Sequence, residues 1–117
     1  MTAAIIARLQ AATAETQGEA IREAISHAHV AGWIPFAAAL RGYHMIDVRA
    51  YVDAALLLVP EGWRLWRMDR PNPAVGWNAQ LVADIAGHAR TSDGTHDEIA
   101  IAIALAAVQA QQQREQP

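Results

Sequence analysis

The chain contains no cysteine, and all nine of its basic residues are arginine, so it has no lysine either. Without cysteine there is no disulfide, no thiolate metal ligand and no thiol nucleophile. Without lysine there is no Schiff-base amine. GC-rich codon usage accounts for an arginine-only composition. Its physical consequence is that every cationic contact is planar, multi-donor and permanently charged, which suits phosphate and carboxylate groups.

Charge is also scarce, at 18% of residues with a formal net charge of −3. That balance gives no general attraction to nucleic acid or to an anionic membrane, so neither is an expected partner. The longest apolar run, residues 99–108, is far too short to span a bilayer. The first residues lack the basic-then-apolar pattern of an export signal, and a cytoplasmic location is the expectation. No glycine-rich phosphate loop or Walker sequence occurs, and no cofactor is expected.

Apolar residues make up 53% of the 117-residue chain, which suits one folded domain over residues 1–117 with a real core. Much of that fraction is alanine, so helices can approach closely. Residues 3–14 read as a helix with Ile5, Ile6 and Leu9 on one side. Thr16-Gln17-Gly18-Glu19 has the form of a capping box. It would start a helix over residues 18–30 that buries Ile21, Ala24, Ile25 and Ala28 and stops at Gly32. Pro35 turns Ile34 away from helix. Residues 36–40 fit a short helical turn that Gly42 interrupts. Asp47 is the expected N-cap of a further helix over 48–59, with Tyr51, Val52, Ala55, Leu56 and Val59 as its buried stripe and Pro60 and Gly62 at its end.

The most distinctive stretch follows. Trp63-Arg64-Leu65-Trp66-Arg67-Met68-Asp69-Arg70 holds two tryptophans and three arginines in eight residues. As a strand over 63–69 it would set Trp63, Leu65 and Arg67 on one face and Arg64, Trp66, Met68 and Arg70 on the other. Arg70-Pro71-Asn72-Pro73 reads as a turn. A second strand over 75–83 places Val75, Trp77, Ala79 and Leu81 inward. Residues 85–89 fit a short third strand. Residues 90–95 read as a polar loop, ahead of a second capping box at Thr95-His96-Asp97-Glu98. The alternating Ile-Ala run from Ile99 mimics a strand. Alanine's helix propensity and the acidic residues before it favour a helix with a broad buried face, fraying over residues 111–117. The expected fold is α+β: a two- or three-stranded antiparallel sheet packed by helices, α/β/α-sandwich-like.

Asp53-Ala54-Ala55-Leu56-Leu57-Leu58-Val59-Pro60-Glu61-Gly62-Trp63 resembles the helix-to-strand junction of small phage and prophage proteins of the ABA-sandwich type. The opening Ile6-Ala7-Arg8-Leu9-Gln10-Ala11-Ala12-Thr13 and the alanine-rich closing helix are similar as well. The resemblance covers roughly two-thirds of the chain. Between residues 26 and 47 the chain departs from that pattern, with a longer connection rich in His, Trp and Tyr. The resemblance implies a phage or prophage origin and action inside a bacterial host, and little about activity.

Several residue groups invite chemistry. His27 and His29 sit at a helix end, where they suit the helix dipole better than a metal, and no metal site is expected. His88 and His96 flank a segment with Ser92 and Asp93, but nothing there resembles a nucleophile elbow. Arg41, Tyr43 and His44 lie in the atypical connection, where a loop could bind a ligand. Arg64, Trp66 and Arg70 could stack on and pair with an anionic ligand if their face is open, whereas Trp63 and Trp77 are core residues. The leading expectation is a non-enzymatic accessory binding protein. Its ligand would be a host protein or a small phosphorylated signal molecule, and it would form a homo-oligomer by sheet extension or by packing of C-terminal helices. The alternatives are a structural oligomerisation or assembly module, and a small hydrolase using His88, His96 or His44.

Overall fold

A computed structural model describes residues 2–115 and orders the elements as α1 (Thr2–Gln10), α2 (Gln17–Val30), α3 (Phe36–Asp47), α4 (Tyr51–Leu56), β1 (Arg64–Asn72), β2 (Gly76–Ile85), β3 (His88–His96) and α5 (Ile99–Glu115). The strands form one antiparallel sheet in the order β1-β2-β3. The expected α+β fold is therefore what is observed. The layers run sheet, α5, then the remaining helices: α5 packs on β2 and β3 on one side and on α1, α2 and α4 on the other.

This placement explains the odd sequence of α5. From Ala100 to Val108 every residue is buried, as are Ala110 and Gln111. A helix enclosed all round needs no apolar stripe, so Ile and Ala can alternate without regard to helical period. Small side chains let the layers close up. On β3, Ser92 donates its hydroxyl to the Ala106 carbonyl at 2.7 Å. Gly94 lies so close to α5 that a Cβ there would stand 2.7 Å from the Ala106 amide nitrogen and 2.9 Å from the Leu105 Cβ. The expected fraying from residue 111 is not found over the described residues. Gln111 is buried and donates to the Leu58 carbonyl at 3.2 Å, and Trp33 donates its indole N–H to Glu115.

The helical layer departs from expectation at two caps and one glycine. Thr16 does not cap α2 with its side chain, because that oxygen accepts the Thr13 amide at 2.8 Å. Gly42 does not interrupt α3. It is a close-approach position, where a Cβ would stand 2.7 Å from the Ile25 Cδ1. Asp47 ends α3 and accepts from Arg22 at 2.7 Å instead of starting the next helix. Arg49, with φ of 62°, turns the chain in the left-handed region, so α4 begins only at Tyr51. Its buried residues are Ala54 and Ala55, with Leu58 buried just beyond it, while Val52 and Leu56, expected in the buried stripe, are exposed. Elsewhere in this layer Arg8 ties α1 to α2 through Glu23 at 3.0 Å, and that bond raises the guanidinium above its ordinary pKa.

The sheet departs from expectation at its turns. β1 runs through Pro71 to Asn72, and the turn falls at residues 73–75. As an edge strand, β1 can carry a proline without losing a ladder bond. The segment read as a polar loop is β3 itself. Ala86 and Gly87, with φ of 54° and 80°, form the two-residue hairpin loop before it. Consequently Thr95 is a strand residue whose hydroxyl donates to Asn78 at 3.1 Å, and the turn into α5 is closed by His96, whose Nδ1 accepts the Glu98 amide at 2.9 Å.

Candidate functional site

A β-bulge at Trp66 decides which side chains share a face. Leu65 stands opposite Leu81, and the next paired residue of β1 is Arg67, opposite Gln80. The extra residue reverses the alternation beyond it. Met68, opposite Ala79, therefore points inward, whereas strict alternation would have put it outward with Trp66. Arg67, expected inward with Leu65, points outward instead. Arg64 is opposite Val82, which alternates with the buried Leu81 and Ala83, so it also lies on the outer face.

The outer face is thereby laid out in three rows across the strands. They are Arg64–Val82–Thr91, Arg67–Gln80–Asp93 and Asp69–Asn78–Thr95. No described helix covers it: α5 and the helices behind it all lie on the inner side. Trp66 projects beside these rows at 62% exposure, with the Arg64 guanidinium 5.6 Å from its ring centroid. Its neighbours hold one another in place. Arg67 bonds Asp69 at 2.8 Å and Gln80 donates to Asp93 at 3.1 Å.

The anticipated ligand residues do not gather at this face. Arg64 and Trp66 are on it. Arg70 is on the inner side beyond the bulge, 5.9 Å from the Trp77 ring and donating to the Pro73 carbonyl at 3.3 Å. Arg41, Tyr43 and His44 belong to α3, a helix and not the loop that was expected, and α3 packs on α2 and α4 away from the sheet. The Tyr43 hydroxyl shares a 2.7 Å hydrogen bond with Ser26, and its ring lies under Arg22 at 5.2 Å, a packing role between helices. Arg41 and His44 are exposed on that helix.

The histidines are also dispersed. His88 and His96 occupy opposite ends of β3, about 26 Å apart at strand rise. His27 meets the Thr2 hydroxyl at 3.2 Å and the edge of Trp33 at 5.1 Å. Among the described residues no group of three or more His, Asp or Glu side chains is placed to hold a metal ion. No described helix is long and apolar enough to cross a membrane.

One open cleft lies at the start of α5. It has a volume of about 350 Å³ and is lined by Tyr51, Val52 and Trp77, with Asp53, Asp97 and Glu98 outweighing Arg49. That is the wrong sign for a phosphorylated molecule. The outer sheet face has Asp69, Asp84 and Asp93 beside its arginines and forms no enclosed anion pocket.

Thr91, Asp93 and Thr95, expected in a polar loop and a capping box, are strand residues of the outer face. Residues 88–96 are polar or small at both parities, so no alternation in the sequence marks this strand. Compared with protein-family models, with curated proteins and with solved structures, the chain matches none.

Proposed function

We propose that this chain is a non-enzymatic interaction module whose contact surface is the outer face of its sheet, centred on Trp66 and Arg64. The carrying observation is Trp66 itself, 62% exposed on a strand that is otherwise well ordered by cross-strand pairs. Leaving a large indole in water forgoes the burial that the other three tryptophans have in whole or in part, and exposed Trp beside Arg is the composition of contact hot spots. The surrounding Asn78, Gln80, Thr91, Asp93 and Thr95 offer a flat, mixed field of donors and acceptors. That field suits a protein surface better than a small anion, which would need convergent cations in a closed pocket. The resemblance to phage ABA-sandwich proteins supports a phage or prophage accessory role inside a bacterial host.

The test is native mass spectrometry of the chain purified from the cells that express it, beside the Trp66→Ala/Arg64→Ala double variant. Sprayed from concentrated solution, wild type shows a bound protein partner, another copy of itself included, and the variant loses it with its circular dichroism unchanged. Equal retention by both would overturn the assignment of the surface.

A further inference from the structure

We infer that the outer sheet face pairs with the same face of a second copy, through a two-fold axis running along β2. This rests on the reading of that face as the contact surface, and it names the partner. The fold disfavours the two routes expected from the sequence, packing of C-terminal helices and extension of the sheet. Helix α5 is buried within its own chain from Ala100 to Val108, so two such helices cannot pack together. The β1 edge carries a bulge, Pro71 and exposed arginines, the devices by which natural sheets resist strand addition. On the β3 edge, the Thr91 carbonyl is already taken by Gln113 at 2.9 Å.

The face itself is self-complementary. A two-fold axis along the central strand lays β1 of one copy over β3 of the other. The row Arg67–Gln80–Asp93 then sets each Arg67 against Asp93 of the second copy, twice per dimer. The row Asp69–Asn78–Thr95 sets a carboxylate against a hydroxyl, and Arg64–Val82–Thr91 sets a guanidinium against a hydroxyl. On the axis, the Asn78 and Gln80 amides meet their own copies and can both donate and accept, while Val82 meets Val82. The two Asp84 carboxylates approach at the end of the axis, where Arg64 lines the same shallow cavity and offsets them. Trp66 is covered in the process. Such isologous pairing is the commonest form of assembly, and facing sheets pack about 10 Å apart.

The size of the contact sets its strength. Three strands are about 14 Å wide and nine residues about 30 Å long, a projected area of about 400 Å² per copy. That is near half of the roughly 800 Å² per partner in a standard stable complex. The dimer is therefore weak, reversible and sensitive to salt.

Sedimentation equilibrium at low salt, from about ten micromolar to about one millimolar, tests it. Wild type shows a monomer–dimer equilibrium. Arg67→Glu and Asp93→Arg each weaken it by about tenfold or more, since each sets like charges face to face. The Arg67→Glu/Asp93→Arg double variant restores association to within about threefold of wild type. Both positions are exposed, and unchanged circular dichroism verifies the fold. A wild type that stays monomeric throughout, or a double variant no tighter than the singles, overturns the inference. A monomeric wild type that still loses a cellular partner on Trp66→Ala/Arg64→Ala substitution refutes the second-copy partner alone and leaves the contact surface standing. Loss of both results refutes the surface as well.

Discussion

Ser92 of β3 and Ala106 of α5 are joined by a buried 2.7 Å hydrogen bond from hydroxyl to carbonyl, the closest tie between the sheet and its covering helix. Next to it Gly94 has no room for a methyl group, because the atoms it would meet are helix backbone that cannot swing aside. Gly94→Ala is expected to cost about 3 kcal/mol of stability by overpacking. Ser92→Ala is expected to cost about 1 kcal/mol, since the Ala106 carbonyl sits in a helix interior and keeps its backbone partner. Urea denaturation of the two variants measures both.

Gly42 tests whether close approach alone decides the cost. The atom nearest a Cβ there is the Ile25 Cδ1, the free end of a side chain, at 2.7 Å. Alanine gains about 1 kcal/mol of helix propensity at an interior position, and this offsets a similar overpacking cost. Gly42→Ala is therefore expected to lie within about 1 kcal/mol of wild type in the same denaturation series.

Gln111 reports whether the end of α5 is structural. Gln111→Leu leaves the Leu58 carbonyl without its side-chain donor in a buried setting. A loss of about 1–3 kcal/mol is expected, with faster amide exchange in the last two turns of α5. A frayed end would show no change.

Trp63 and Trp66 separate stability from contact. Trp63 is 7% exposed in the core, and Trp63→Ala is expected to cost about 3–5 kcal/mol. Trp66→Ala is expected to change stability by less than about 1 kcal/mol while weakening partner binding. Thermal unfolding monitored by circular dichroism measures the stability part.

Much of this fold was legible from residue pattern. The buried face of α2, the inward Ala79 and Leu81 of β2, the helical nature of the Ile-Ala run and the core position of Trp63 all follow from period and propensity, whereas Val75, expected inward, lies in the turn at 57% exposure. What stayed hidden was tertiary. The strand β3 carries polar residues on its open face and small ones against α5, so no apolar alternation marks it. The capping boxes at Thr16 and Thr95 failed because each hydroxyl found another partner, Thr13 in one case and Asn78 in the other. The bulge at Trp66 leaves no mark in composition, yet it moves Arg67 outward, and beyond it Arg70 lies by Trp77, apart from Arg64 and Trp66.

Hydroxyl-radical footprinting of the four tryptophans addresses the central claim most directly, comparing dilute purified chain with chain in the cells that express it. The account predicts that Trp66 is oxidised rapidly when dilute and protected in the cell, while Trp63 is protected in both. Oxidation of Trp66 at the same rate in both settings would contradict it.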